Sequence, residues 1–236
     1  MVYPVYPGLE FPRHRPRRLR VSKALRSLVA EARLHPSQFV LPLFVDERLE
    51  RPVPSKSMEG VTVYPPESPE LVKAVQEALD LGVRGFLVFG IPASKDEEGS
   101  RAWDRNGPVQ RALRYLRREL GDEPVIFTDL CICGYTTHGH CGVPVKGRRG
   151  AMVIDNDRTL EIYARIAVSQ AEAGTDFVAP SGMMDGQVRA IREALDRGGY
   201  SDVGIMAYSA KYASSFYGPF RDVRGSARRV GDRRGY

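Results

Sequence analysis

The feature that most restricts this chain is a repeating alternation of two kinds of segment. Short apolar runs occur at FVLPLFV (39–45), GFLVFGI (85–91), VIFTDLC (125–131), DFVAPSG (176–182) and VGIMAYSAK (203–211). Between them lie helical patterns: SPELVKAVQEALDLG (68–82), a stretch near 108–120, TLEIYARIAVSQAEAG (159–174) and GQVRAIREALDRGG (186–199). In the first of these, Ser68 can cap the helix, Pro69 takes its first position and Gly82 follows its end. In the third, Leu160, Tyr163, Ala164, Ala167, Val168 and Ala171 fall on one face. Apolar strands alternating with amphipathic helices predict parallel βα units and an α/β fold. Residues 46–67, punctuated by Pro and Gly, predict a long loop. Upstream, residues 1–21 read as an extended arm rich in Pro and Arg. Ser22 can then cap a helix whose apolar face is Leu25, Leu28, Val29 and Ala32.

Polar and reactive residues sit where the predicted strands end. The cysteines follow the third strand, Ser181 lies at the fourth, and Lys211 at the fifth. Function at the C-terminal ends of parallel strands is expected for the eightfold βα barrel and for open doubly wound sheets. No Gly-rich phosphate loop opens any of the helices, which counts against a nucleotide-binding sheet. A barrel needs eight strands. The five runs found here predict about five βα units, with the remaining strands lying outside this sequence or supplied from elsewhere. The expected organisation is an N-terminal arm and short helix over 1–34, then a barrel domain over 35–236 that is incomplete at its C-terminal end.

Composition narrows the setting. Hydrophobic residues make up 42% of the 236, enough for a sizeable core. No apolar run approaches the roughly 20 residues that span a bilayer. The N-terminus MVYPVYPGLEFPRHRPRRLR lacks the apolar centre of a secretory signal. A soluble, cytoplasmic protein without membrane association is expected. The net charge of +6 owes much to RHRPRRLRVSK (13–23). Such a run can bind nucleic acid, but no interleaved aromatics, zinc-finger spacing or RNA-binding motif accompanies it. A solvated arm, or one that packs on a partner subunit, is the better reading.

The chemistry-bearing residues cluster. All three cysteines, Cys131, Cys133 and Cys141, lie in DLCICGYTTHGHCG (129–142), with His138 and His140. In a chain read as cytoplasmic, such clustering suggests metal or catalysis before disulfides. Thiolates favour zinc over magnesium or calcium. Three protein ligands mark an open catalytic site, whereas a fourth from His138 or His140 would make the site structural. Inert buried thiols are the remaining alternative. Lys211 ends an apolar strand among Tyr208, Phe216 and Tyr217. Desolvation there would lower its pKa and free the amine for Schiff-base chemistry. Equally, its stem can pack while its ammonium reaches water. Arg221, Arg233 and Arg234 follow the fifth strand and can clamp a carboxylate, while Arg224, Arg228 and Arg229 read as a solvated basic loop. Asp129, two residues before the first cysteine, can orient a ligand or handle protons, or simply cap the next turn.

Taken together, RPRRLR, FGIP, KDEEGS, DLCICGYTTHGHCG, APSGMMDGQV, MAYSAKYASSFYGPFRD and GDRRGY resemble the porphobilinogen synthase (aminolevulinate dehydratase) family. The cysteine loop and YSAKYASSFYGPFRD are the most specific of these, and the match runs nearly the whole length of the chain. The resemblance implies a TIM (βα)8 barrel whose N-terminal arm embraces a neighbouring subunit in a homo-octamer or hexamer. It implies a lyase that condenses two 5-aminolevulinate molecules to porphobilinogen in tetrapyrrole and heme biosynthesis. Retention of Cys131, Cys133 and Cys141 implies the zinc-dependent branch, with His140 a neighbour and not a ligand. By residue-to-residue matching, Lys211 corresponds to the lysine that forms the Schiff base with the A-side substrate. Arg221 and Arg233 correspond to the pair that holds its carboxylate. Asp129, Ser181, Tyr208, Phe216 and Tyr217 match pocket positions, and residues from Gly218 onward match the mobile lid. The sequence departs from the family in lacking the second lysine, which lies in an MVKP-like strand. It departs also at Gly182, where an acidic residue is common, and at Arg228 and Arg229, where the lid is more apolar. The A-side and metal half of the enzyme is therefore expected here, with the 236 residues alone making little porphobilinogen. The alternatives are a relative that binds zinc and one substrate without condensation, or a basic nucleic-acid-binding protein.

Overall fold

The computed structural model describes residues 14–148, 150–210, 214 and 217–225. It falls into two units, Met1–His35 and Pro36–Tyr236. In the first, a 3-10 turn (Pro16–Arg20) precedes a short helix α1 (Lys23–Leu28). Ser22 caps that helix as expected, its Oγ accepting from the Leu25 amide at 3.1 Å. The helix is shorter than the sequence pattern suggests: it stops at Leu28, so Val29 and Ala32 lie beyond it.

The second unit is an arc of parallel sheet. Strand β1 (Val40–Asp46) leads through a short antiparallel pair, β2 (Val53–Pro54) and β3 (Thr62–Tyr64), into helix α2 (Pro69–Asp80). The segment read as a plain loop thus holds two strands; β3 runs parallel to β1 and extends the sheet past it. Next come β4 (Gly85–Ile91), α3 (Pro108–Leu120) and β5 (Val125–Leu130). A hairpin, β6 (Val143–Lys146) with β7 (Met152–Asp155), interrupts the alternation. Helix α4 (Asn156–Glu172), β8 (Phe177–Pro180), α5 (Gln187–Arg197), β9 (Gly204–Ile205) and α6 (Tyr217–Arg224) complete the described chain.

The strand order is β2-β3-β1-β4-β5-β8-β9. Strands β1, β4, β5, β8 and β9 lie side by side in chain order and all run parallel, with no reversal of order among them, while the β2–β3 pair lies on the other side of β1. A doubly wound sheet requires such a reversal, whereas sequential addition is how a βα barrel is wound. Registers are continuous, from Val40 opposite Gly85 to Asp46 opposite Ile91, so the C-terminal ends of β1 and β4 finish level.

Side chains alternate between two faces with the period of a strand. Leu43, Val45, Phe86, Val88 and Ile126 point outward to Leu71, Val75 and Leu79 of α2 and to Val109, Leu113 and Leu116 of α3. Those helical positions recur at three and four residues, which is why these segments fold as helices with one buried stripe. Phe44, Leu87, Phe89 and Ala179 point to the inner face, where Phe220 and Val223 of α6 pack against them. The caps expected for α2 are present: Ser68 Oγ accepts from the Leu71 amide at 3.2 Å, and Gly82 turns with φ of +89°. Among the described residues no helix is long and apolar enough to cross a membrane.

Candidate functional site

At the C-terminal end of β5 the chain turns sharply. The Tyr135 and Thr136 amides donate back to the Ile132 carbonyl at 2.8 and 3.0 Å. The Thr137 amide donates to the Asp96 carbonyl at 2.9 Å, tying this loop to the one after β4. Gly139 then takes φ of +74°, a left-handed turn that favours glycine, and returns the chain toward β5. The result brings Cys141 to Cys131 and Cys133. All three are buried, and their sulfurs lie within 4.8 Å of one another. Sulfurs bound tetrahedrally to one ion at ~2.3 Å stand about 3.8 Å apart, so this cluster needs only small adjustments to hold one. The chemistry of the set is likewise that of a soft divalent cation.

Neither histidine joins the cluster. His138 Nδ1 accepts from the His140 amide at 3.0 Å, and its Nε2 bonds the Glu97 carbonyl at 2.9 Å. That arrangement fixes the Nε2–H tautomer, and burial lowers its pKa and keeps the ring neutral. His140 is fully buried in the same loop.

The thiols are electrostatically unequal. Hydrogen bonds from Cys131 and then Cys141 pull the Cys133 thiol well below its usual range, with the Arg224 charge adding to the effect. Cys141 is pushed well up, first by its hydrogen bonds to Cys131 and Cys133 and then by burial. Tyr163 of α4 braces the third cysteine, its hydroxyl donating to the Cys141 carbonyl at 2.7 Å. Gly182 makes room for that hydroxyl. A Cβ on Gly182 would overlap the phenol oxygen and lie 2.8 Å from Cζ. The absence of a larger side chain at 182 is therefore matched by the presence of Tyr163.

Asp129, at the end of β5, is buried. Its Oδ1 accepts from Ser181 Oγ at 2.6 Å, across the β5–β8 pair. Its Oδ2 is ion-paired with the Arg224 guanidinium. Here the sequence expectation needs correcting: Arg224 is not a solvated loop residue. It ends α6, is 2% exposed, and lies 5.4 Å over the Phe89 ring. The residues bounding it are the reason. Gly134 leaves the space for the guanidinium, since a Cβ there would stand 2.8 Å from Arg224 Nε. The available signal was spacing: Phe220, Val223 and Arg224 share one helical face, the other two being apolar.

The remaining expected site residues are placed as follows. Tyr208, 40% exposed, follows β9 and donates its backbone amide to the Pro180 carbonyl at 3.2 Å. Tyr217 opens α6, and Arg221 stacks its guanidinium 5.2 Å from that ring. The buried Arg221 Nε finds no hydrogen-bond partner among the described residues. Lys211, Phe216 and Arg233 lie outside the described residues, as do Arg228, Arg229 and Arg234. The structure thus gathers the three cysteines in the loop after β5 and pairs Asp129, at the end of that strand, with Ser181.

Comparison with known proteins adds the family. The chain matches Delta-aminolevulinic acid dehydratase over residues 13–236. It is 52% identical over 227 residues to the delta-aminolevulinic acid dehydratase of Archaeoglobus fulgidus, covering 96% of this chain and 68% of that protein. Identity to the Streptomyces coelicolor protein of the same name is 50% over 229 residues, covering 96% of this chain and 67% of that one. A crystal structure of delta-aminolevulinic acid dehydratase (porphobilinogen synthase) from Toxoplasma gondii ME49, in complex with the reaction product porphobilinogen, superposes with a TM-score of 0.86 at 39% identity. That superposition covers 94% of this chain but 62% of the other, so the chain spans about two thirds of the length of the relatives it matches. The arc of parallel strands is accordingly the larger part of a TIM barrel. With a family match over most of its length and identities near one half, the chain belongs to the delta-aminolevulinic acid dehydratase family.

Proposed function

We propose that this chain supplies the A-side and metal half of a porphobilinogen synthase, a lyase that joins two 5-aminolevulinate molecules into porphobilinogen with release of two waters. The observation that carries the reading is the convergence of three buried cysteine sulfurs beside the Asp129–Ser181 pair at the C-terminal ends of β5 and β8. Zinc is the metal that best suits this donor set, and three protein ligands leave it a position for substrate. When bound, it would supply Lewis acidity to a substrate oxygen. Cys131, Cys133 and Cys141 would hold it.

The protein's own groups take the remaining roles. Lys211, in the segment that follows β9, is the proposed nucleophile. Its amine attacks the ketone of one substrate, a C–N bond forms, and the carbonyl oxygen departs as water, leaving an imine. Asp129, whose Oδ1 accepts from Ser181 Oγ at 2.6 Å, would handle the protons this needs, with Ser181 beside it lining the substrate pocket. Arg221 offers an unpaired buried N–H for the substrate carboxylate, with Arg233 as its proposed partner. Tyr208, Phe216 and Tyr217 would line the pocket. Residues 1–34 are proposed to act as an arm in a homo-oligomer, octamer or hexamer, working in the cytoplasm.

The imine tests this reading because borohydride reduces it to a stable amine. Incubation with 5-aminolevulinate and borohydride should add one substrate remnant to the peptide containing Lys211, and Lys211→Ala should abolish it. Labelling that survives the substitution, or none in the parent, would contradict the proposal.

A further inference from the structure

Arg224 is the one buried residue of α6 among those described, although it carries a charge. The other anchors of this helix are apolar or superficial. Phe220 packs edge-on against Phe44 and Phe89, with centroids at 5.8 and 5.1 Å. Ser57 Oγ donates to the Pro219 carbonyl at 3.1 Å, and Lys95 Nζ to the Gly225 carbonyl at 2.6 Å, both at exposed positions. Arg224 instead reaches past Gly134 to Asp129 at the foot of the cysteine loop.

We propose that Arg224 is the latch of the site: its ion pair with Asp129 holds α6 over the strand ends and fixes Asp129 against Ser181 while the reaction runs. The two oxygens of Asp129 are divided between Ser181 and Arg224. Its carboxylate plane is thereby set from two sides, by Ser181 just after β8 and by the last residue of α6. Breaking a buried pair leaves an uncompensated charge, which is strongly unfavourable until water enters. Opening α6 must therefore hydrate Asp129, and closing it must dry and reorient that group. The latch makes closure of the helix and positioning of the proton-handling Asp129 a single event. Arg224 is a positioning residue here, since it acts through Asp129.

The kinetic part of the test rests on the function proposed above; the exchange part does not. In Arg224→Ala, amide hydrogen exchange at residues 221–224 should quicken about tenfold or more, because the helix loses its buried anchor. Gly134→Ala should act in the same direction while leaving Arg224 in the sequence, since its methyl would stand 2.8 Å from Arg224 Nε and crowd the guanidinium. Millimolar guanidinium chloride should restore protection and activity to Arg224→Ala, and methylammonium should restore less. The maximal rate of borohydride-trappable imine formation should fall about tenfold, with a smaller change in the half-saturating 5-aminolevulinate concentration. Unchanged exchange in both variants, or no rescue by guanidinium in a folded Arg224→Ala protein, would overturn the latch. A parent that forms no imine would count against the function, while exchange would still decide the latch.

Discussion

Gly182→Ala should be among the most damaging single-methyl additions in this protein. A Cβ at 182 would overlap the Tyr163 hydroxyl and stand 2.8 and 3.0 Å from Cζ and Cε2 of that ring. Carbon atoms in favourable contact stand about 3.5–4.0 Å apart, so the ring must withdraw by roughly 1 Å. Tyr163 is fully buried in the largest core cluster, so its ring retreats only by displacing packed neighbours. Overpacking of this kind costs about 1–3 kcal/mol. The withdrawal also breaks the 2.7 Å bond to the Cys141 carbonyl. That leaves a buried donor and acceptor unsatisfied, adding about 1–3 kcal/mol. The combined loss should be about 3 kcal/mol, or a fall in Tm of about 6–12 °C for a chain of this size. Denaturant unfolding of the reduced, metal-free protein measures it directly. Adding Tyr163→Leu to the Gly182→Ala variant should recover at least about 1 kcal/mol relative to the sum of the single changes. A Gly182→Ala protein within about 0.5 kcal/mol of the parent, or strictly additive effects in the pair, would refute the reasoning.

Three further outcomes follow from other parts of the structure. Burial alone would raise the Asp96 pKa, but the Ser100 hydroxyl and the amides of Ser100, Gly99 and Glu98 outweigh it and hold the carboxyl below its ordinary 3.8. A depressed carboxylate stabilises the fold above its unfolded pKa and loses that contribution as pH falls through its folded pKa, so Asp96→Asn should be less stable than the parent at neutral pH, with the gap closing below about pH 4 in urea titrations. Arg117 joins the Gly174, Gly121 and Pro124 carbonyls and, at 2.6 Å, the Asp176 carboxylate that also receives the Ile126 amide; Arg117→Ala should cost about 2 kcal/mol by thermal unfolding. Cys133→Ala should abolish stoichiometric zinc uptake in metal-analysed protein dialysed free of excess ion, whereas His138→Ala should retain it, because both ring nitrogens of His138 face backbone groups.

The sheet was legible in the sequence because buried parallel strands announce themselves as unbroken apolar runs. Each of the five became a strand, although the last keeps only Gly204–Ile205. Helix α4 begins at Asn156, three residues before the Thr159 start read from the pattern, because Asp155 caps it by accepting from the Arg158 amide at 3.1 Å. The β6–β7 hairpin was missed. Its strands are only four residues each and only partly buried, so the apolar positions they carry, such as AMVI (151–154), are too few to mark a strand. The cysteine cluster was legible because its three members are close in sequence. The Asp129–Arg224 pair was not, since its partners are ninety-five positions apart and only the helical spacing of Arg224 from Phe220 and Val223 sets it off from its basic neighbours. Tyr163 was visible only as part of an apolar stripe; the role of its hydroxyl depends on Gly182, which meets it only in the folded chain.

The three sulfurs of Cys131, Cys133 and Cys141 at the end of β5 are the proposed open zinc site. X-ray absorption at the zinc edge of the reconstituted protein measures that directly. Three sulfur scatterers at ~2.3 Å and one lighter neighbour are predicted, with the sulfur shell lost in Cys133→Ala. A shell containing imidazole nitrogen, a fourth sulfur, or no sulfur at all would contradict it.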